Sequence, residues 1–373
     1  MEAKEALERD WSSLLPEVLN LIAGNLTEIT DFVRFRAVCT AWSSSATIAD
    51  LPLQFPWILE ERHCYEDDLR FYSIPFGKIY NIHAAKSLGK MFMRPSDKYI
   101  QLFSMTGQRS LLNPLNDHEI PLPAYDCDDY PCIKGPWKNR MGVHMVCYGP
   151  PGYQKYPKLV SCQFDQDKWC ELVLGLDYAN CDLGDCNLFY LNGMLFNVDS
   201  DTGVTKVTDV ATNTLAYVIP PVEGYLGKNT EYTQVNGDIR RVFEQYDSSA
   251  ECIMDASGDI LRVFRYYDSS AGWCHYSFVI HRLDVNESGS VFWVKVDNIG
   301  NHALFLGMDG GFVLQANDFA GIKRNCIYFS MKMFAGICEA PLYRVEKIDI
   351  ETGAREQLPC PLKEPQGWFV PVL

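Results

Sequence analysis

The sequence predicts a small all-α module at the N-terminus followed by a large all-β domain, best arranged as a β-propeller of roughly five to seven blades. Three observations support this prediction. Apolar residues recur at helical spacing within the first 45 residues. From residue 69 onward, short apolar and β-branched runs alternate with glycine-containing turns. The length of 373 residues accommodates one small module and one large domain.

The first predicted helix begins at Pro16, whose fixed φ and missing N–H suit the first turn of a helix. Ser12 or Ser13 can accept hydrogen bonds from the free N–H groups of that turn. Four apolar residues then recur at helical spacing and form one stripe: Val18, Leu19, Ile22 and Leu26. The sequence therefore predicts an amphipathic helix.

A second apolar stripe follows, for which Thr30 and Asp31 offer a capped start. Its members are Phe32, Phe35, Val38, Cys39 and Trp42. Full burial of each large side chain contributes roughly 1.5–3 kcal/mol. A unit of about 40 residues nevertheless buries too little surface to be stable alone. The apolar faces of these helices must therefore be buried against another surface. That surface belongs either to the domain that follows them or to a partner protein.

The order of residue types in this segment resembles the F-box. The matching residues are Leu15-Pro16, Ile22, Leu26, Val33-Arg34, Val38-Cys39 and Trp42. This resemblance implies helix-in-groove docking on the Skp-family adaptor of a cullin-RING ubiquitin ligase. The adaptor-binding residues that it implies are Leu15, Pro16, Val18, Ile22, Leu26, Val33, Val38, Cys39 and Trp42. Thr40-Ala41 departs from the family pattern, in which a basic residue before the tryptophan is common.

The β-rich body is predicted to be a chain of antiparallel hairpins. Turns such as Asn192-Gly193, Ser288-Gly289 and Thr352-Gly353 separate runs of strand type. Two packed sheets would be unusually large at this length, whereas blades arranged radially protect their edges. The segment Trp368 to Leu373 is predicted to close the ring by pairing with an N-terminal strand of the body.

The body also resembles the KIB-type β-propeller of a large plant family of F-box proteins. The resemblance rests on Leu111 to Leu115, Ile120 to Pro123, Ala303 to Gly307, Asp318 to Gly321, Asn325 to Phe329 and Trp368 to Pro371, in family order. Together the two resemblances divide the chain into four parts. These are a flexible N-terminus (1–9), the F-box (10–50), a linker (51–68) and the KIB-type β-propeller (69–373).

Charge and hydropathy limit the partners. The net charge is −15 and no basic cluster offsets the acidic ones, so nucleic-acid binding is disfavoured. No run reaches the roughly 18 uninterrupted apolar residues of a membrane helix, so no membrane partner is predicted. The charged first residues resemble neither a signal peptide nor a transit peptide. The expected location is the cytoplasm and/or the nucleus.

The sequence carries no recognisable catalytic or metal-binding motif. Its 14 cysteines include no Cys-x-x-Cys pair, and residues such as Cys147 and Cys252 have apolar neighbours, as buried thiols do. Asp199 to Gly203 begins like a calcium loop, but Val204 stands where an EF-hand requires glycine. We therefore predict no catalytic residue, no metal and no cofactor.

These predictions describe a substrate-recognition subunit of an SCF-type (Skp–cullin–F-box) E3 ubiquitin ligase. The F-box would bind the adaptor, and the propeller would bind a substrate protein that the sequence does not identify. Two alternatives remain open. One is an F-box scaffold acting outside a ligase, and the other is a β-propeller enzyme.

Overall fold

The computed structural model describes residues 11–372 other than 48–49, 52, 62–65, 67, 97, 105–107, 123–132, 139–141, 148–157, 164–169, 173–185, 200–201, 223–232, 236–237, 241–250, 257, 268–275, 308–309 and 334–341. The α-helices come first and the strands follow, as predicted, with two short 3₁₀ helices, Ala85–Ser87 and Ala316–Asp318, among the strands. Among the described helices, none has the length and apolar character needed to cross a membrane.

The N-terminal module contains one short 3₁₀ helix and three α-helices. They are the 3₁₀ helix Trp11–Ser13, α1 (Pro16–Gly24), α2 (Ile29–Arg36) and α3 (Thr40–Ser45). Helix α1 begins at Pro16, as predicted. Helix α2 begins at Ile29 after Glu28, which gives no side-chain cap, so the predicted capped start at Thr30 and Asp31 is wrong. The Thr30 hydroxyl instead donates to the Glu28 carboxylate.

The strands form sheets that we number as blades in chain order, and neighbouring strands pair antiparallel except in the last blade. Blade 1 contains β1 (Trp57–Glu60), β2 (Asp68–Ser73) and β3 (Lys78–His83). Blade 2 contains β4 (Lys90–Ser96), β5 (Tyr99–Ser104), β6 (Arg109–Asn113) and β7 (His118–Leu122). Blade 3 contains β8 (Ile133–Lys138), β9 (Gly142–Cys147), β10 (Lys158–Gln163) and β11 (Cys170–Leu172).

The second half of the chain continues the same pattern. Blade 4 contains β12 (Cys186–Leu191), β13 (Met194–Asp199), β14 (Thr205–Asp209) and β15 (Thr214–Ile219). A two-stranded ribbon follows, made of β16 (Thr233–Val235) and β17 (Asp238–Arg240). Blade 5 contains β18 (Glu251–Ala256), β19 (Asp259–Tyr267), β20 (Tyr276–Val285) and β21 (Val291–Val296).

Blade 6 departs from the predicted chain of antiparallel hairpins. It contains β22 (His302–Gly307), β23 (Gly310–Gln315), β24 (Cys326–Met333), β25 (Leu342–Asp349) and β26 (Arg355–Gln357). Strand β23 lies at one edge of the sheet, in the order β23-β22-β24-β25-β26. The chain must therefore cross over β22, and β24 pairs parallel to it, with Phe305 opposite Tyr328.

The last strand, β27 (Pro365–Phe369), closes the ring. It pairs antiparallel with β1, with Trp57 opposite Phe369 and Ile58 opposite Trp368, and this confirms the predicted closing strand. Strand β27 also packs beside β4 of blade 2 and β24 of blade 6. Within the described residues, five four-stranded sheets, one five-stranded sheet and the ribbon are formed, consistent with the predicted propeller.

The predicted linker over 51–68 is corrected by strand β1. Residues 57–60 lie inside that range, yet they form a strand of blade 1 between β27 and β2. Trp57, Ile58 and Leu59 are all buried because neighbouring strands and blades cover both faces. Such a strand shows a continuous apolar run rather than an alternating pattern, so its periodicity does not distinguish it from other buried segments.

Three of the family-like motifs, at 303–307, 325–329 and 368–371, contribute rings to one aromatic cluster between blades 1 and 6. Its rings belong to Phe55, Phe305, Tyr328 and Trp368. Phe305 stacks on Tyr328 with ring centroids 4.6 Å apart. The Trp368 indole donates to the Leu306 carbonyl at 3.0 Å. This cluster fixes the closing strand against the sheet that precedes it.

Blade 5 contains a buried histidine next to a buried arginine. His281 on β20 lies opposite Arg262 on β19, and both side chains are buried. The Arg262 guanidinium lies over the Phe264 ring, 4.6 Å from its centroid. Burial, with the nearby charges of Arg262 and Lys295, lowers the pKa of His281 to about 4. His281 is therefore neutral at physiological pH in the folded protein.

We expect the stability of the propeller to fall as the pH drops from 6.5 through about 4, partly because of His281. In the unfolded chain this histidine takes up a proton near its ordinary pKa, whereas the folded protein resists protonation, so acid favours unfolding. Urea titrations at several pH values should give a flatter pH profile for His281→Gln than for the wild type. The exposed His83→Gln variant is the control, and equal slopes for His281→Gln and the wild type would contradict the prediction.

Candidate functional site

The helical module has its own small core. Leu19, Phe32 and Phe35 are buried in it, and Trp42 packs against Phe35 with ring centroids 4.7 Å apart. The Trp42 indole also donates to the Trp11 carbonyl at 2.9 Å. Half-buried residues complete this core: Leu14, Ile22, Leu26, Trp42 and Leu51. Three of the predicted adaptor-binding residues, Ile22, Leu26 and Trp42, thus pack inside the module.

Other predicted residues are exposed on the module. Leu15 is 65% exposed, and Val18, Val33 and Val38 are also exposed although they are apolar. Pro16 is exposed as well, and Cys39 is half-buried. The structure therefore divides the nine predicted residues into an exposed group and a group that supports the fold. Their contacts with an adaptor remain a prediction.

Leu21 is an exposed residue that sequence reasoning missed. It is 68% exposed on α1, three residues after Val18, which itself follows Leu15 by three. The helical periodicity of α1 predicts a single buried stripe, and Leu21 lies outside it. An apolar residue off the buried stripe of an amphipathic helix is the signal that could have identified it. We call Leu15, Val18, Leu21, Val33 and Val38 the exposed apolar set.

The start of α2 is attached to blade 1 through Glu28. This carboxylate is only 4% exposed. It accepts hydrogen bonds from Lys78 Nζ at 2.5 Å, Thr30 Oγ1 at 2.5 Å and the Tyr80 hydroxyl at 2.7 Å. Burial acts to raise the pKa of Glu28, but these hydrogen bonds outweigh it and hold the pKa below its ordinary value. Glu28 is therefore ionised at neutral pH.

Gln54 and Ile29 add two further links at the same place. The Ile29 N–H donates to Gln54 Oε1 at 3.2 Å, and Gln54 Nε2 donates to the Thr27 carbonyl at 3.0 Å. The Ile29 side chain is buried in the apolar core of blades 1 and 2, together with Trp57 and Leu59. The start of α2 and the residues just before it are thus held by an ionic, an amide and an apolar contact.

The described residues do not form a metal-binding cluster of three or more His, Cys, Asp or Glu side chains. Two cysteines in this part of the chain, Cys326 and Cys360, are free thiols whose pKa values are raised by burial. A thiol must ionise to act as a nucleophile or a metal ligand. The surroundings of these two cysteines favour a packing role.

Comparison with known families identifies the propeller. The family model described as KIB1-4 beta-propeller matches residues 71–356, which is more than half of the chain. The chain belongs to the KIB1-4 β-propeller family. The match begins within β2, so β1, β27 and the helical module lie outside it. It covers the segments Leu111 to Leu115 and Ala303 to Gly307, which carried the resemblance in the sequence.

Two relatives from Arabidopsis thaliana align with most of the length of this KIB-type chain. Putative F-box protein At4g17565 is 26% identical over 97% of this chain and 94% of its own length. Probable F-box protein At4g22060 is 24% identical over 86% of this chain and 83% of its own length. With the family match, these relatives confirm the predicted type, a plant F-box protein with a KIB-type β-propeller.

Solved structures resemble the chain only weakly. The dihydro-heme d1 dehydrogenase NirN, in complex with DHE, is 9% identical, with a TM-score of 0.36 over 86% of this chain and 68% of that chain. The N-terminal domain of Nup159 is 8% identical, with a TM-score of 0.28 over 86% of this chain and 77% of that chain. Similarity this low carries no argument about the function of the KIB-type chain.

Proposed function

We propose that this chain is the substrate-recognition subunit of an SCF-type E3 ubiquitin ligase. The observation that carries the proposal is the exposed apolar set on the helical module. The module already packs a core around Leu19 and Phe32, and it contacts blade 1 through Ile29. Internal packing therefore does not account for Leu15 and Leu21, each about two-thirds exposed.

A Skp-family adaptor is the partner that fits this set. The adaptor groove would bury Leu15, Val18 and Leu21 by the helix-in-groove mode. Apolar burial of this kind stabilises a complex by roughly 1.5–3 kcal/mol for each large side chain. Through the adaptor, the chain would join a cullin-RING scaffold in the cytoplasm and/or the nucleus.

The propeller would bind the substrate protein and bring its lysines close to the ubiquitin-charged conjugating enzyme. In this mechanism the chain supplies proximity and orientation, which convert an encounter between two proteins into a reaction within one complex. The bond-forming chemistry belongs to the conjugating enzyme and to the substrate lysine. No catalytic residue of this chain is required.

Reconstitution with purified components tests the proposal. The full-length chain is expected to form a one-to-one complex with a Skp-family adaptor, and a cullin-RING scaffold should join only when the adaptor is present. Size-exclusion chromatography coupled to light scattering measures both steps. Failure of every adaptor paralogue to bind would refute the proposal. Adaptor binding that excludes the cullin would instead favour an F-box scaffold acting outside a ligase.

A further inference from the structure

Residues 27–30, which lead into α2 and form its start, make more contacts with the strand region of blade 1 than a flexible connection would need. The Glu28 carboxylate receives one hydrogen bond from its own module, from Thr30, and two from β3, from Lys78 and Tyr80. A buried carboxylate is costly unless its partners compensate for the lost water. The charge of Glu28 is therefore compensated only while the helices and blade 1 stay together.

Apolar contacts make the same connection. Ile29 is buried with Trp57 and Leu59 of β1, and the Trp57 ring stacks on Tyr80 with centroids 4.3 Å apart. Tyr80 therefore contributes its ring to the apolar core and its hydroxyl to Glu28. The burial of Ile29 and the ionic contact of Glu28 both depend on one arrangement of α2 relative to blade 1, and the stacking on Trp57 holds the Tyr80 ring in place for it.

We infer that Glu28 is a positioning residue that locks the F-box helices onto blade 1. Because of this lock, the helices and blade 1 unfold locally and refold together. The lock fixes the direction in which the exposed apolar set faces relative to the propeller. Its consequence for a ligase rests on the proposed function: adaptor binding at the helices would also stabilise blade 1. A substrate on the propeller would then be held at a defined orientation to the adaptor.

Hydrogen exchange of the free full-length protein tests the lock. In Glu28→Gln, the amides of Phe32 to Arg36 in α2 should exchange at least about tenfold faster than in the wild type, while those of blade 5 are unchanged. Lys78→Met should also speed exchange of the α2 amides. Lys78→Arg keeps the positive charge and should retain most of their protection from exchange. If Glu28→Gln does not fold, Tyr80→Phe removes one hydrogen bond and keeps the ring in place.

A matched ion pair in blade 2 provides the control. Lys90 Nζ lies 2.5 Å from Glu119 Oε1, the same separation as in the Lys78 and Glu28 pair, and it joins β4 to β7 within one blade. Lys90→Met should leave α2 exchange unchanged. The inference is overturned if α2 exchange in Glu28→Gln changes less than about twofold, or if Lys90→Met accelerates it equally.

A second arm adds a Skp-family adaptor at saturating concentration and separates positioning from simple stabilisation. In the wild type, the adaptor should slow exchange in α1 and also in β2 and β3. In Glu28→Gln, the slowing should remain in α1 and disappear from β2 and β3. Equal slowing of β2 and β3 in both proteins would refute the lock. If the adaptor leaves α1 unaffected, the proposed function fails, and the free-protein arm alone decides the inference.

Discussion

Replacement of Leu15 and Leu21 by aspartate is expected to weaken binding to a Skp-family adaptor by at least roughly 100-fold. Each leucine is about two-thirds exposed in the free protein and would be buried in the complex. Loss of two such contacts removes roughly 3–6 kcal/mol, and each buried aspartate adds a desolvation cost. Titration calorimetry with the full-length protein measures the change in affinity directly.

The choice of these two positions follows from the packing of α1. Ile22, although it belongs to the predicted adaptor-binding residues, packs against the core of the module beside Leu19. Aspartate at Ile22 would unfold the helices and would not report on docking. Leu15→Asp and Leu21→Asp leave that core unchanged.

An exposed valine far along the chain provides the matched control. Val285 at the end of β20 is 59% exposed, so Val285→Asp places the same charge on an apolar surface position of the propeller. It should retain wild-type affinity for the adaptor. If the Leu15→Asp, Leu21→Asp double variant also retained that affinity, the exposed apolar set would not be the docking surface.

Replacement of Trp368 by alanine is expected to destabilise the propeller by about 3–5 kcal/mol, the usual cost of removing a large buried aromatic side chain. Trp368 lies on the closing strand β27, packs against Phe55, Phe305 and Tyr328, and donates to the Leu306 carbonyl. The substitution leaves a cavity between blades 1 and 6 and removes the hydrogen bond from the indole to the Leu306 carbonyl. Urea denaturation followed by tyrosine and tryptophan fluorescence measures the loss.

Removal of residues 365–373 should lower the free energy of unfolding of the propeller by more than Trp368→Ala does. Without β27, β1 becomes the edge of the sheet and blade 1 loses one of its four strands. Trp11→Ala is the control, because Trp11 is 58% exposed and its carbonyl, which accepts from Trp42, is retained. A Trp368→Ala variant within about 0.5 kcal/mol of the wild type, the range of ordinary surface substitutions, would contradict this account of closure.

The sequence predicts those features that depend on local chemistry. Pro16 begins α1 because proline suits the first turn of a helix. Asn192 and Gly193 form the turn between β12 and β13, with φ of 49° and 84°, values that asparagine and glycine tolerate best. The closing strand was predictable because the ends of a ring of blades must meet.

Features that depend on distant contacts were not predictable. Glu28 is one acidic residue among many in the sequence, and its partners Lys78 and Tyr80 lie 50 and 52 residues away. The sequence predicts a linker where β1 lies, because a strand buried on both faces has no alternating pattern. Leu21 was missed because the periodicity of α1 identifies its buried stripe and leaves the opposite side unassigned.

The central claim is that the helices connect proteins bound by the propeller to a cullin-RING ligase. Its most direct test is ubiquitin occupancy of the proteins captured by the full-length chain from proteasome-inhibited plant cells. Mass spectrometry compares the wild type with the Leu15→Asp, Leu21→Asp variant. The account predicts that both capture the same proteins, and that ubiquitin on their lysines falls to background in the variant. Equal ubiquitin on the proteins captured by both would contradict it.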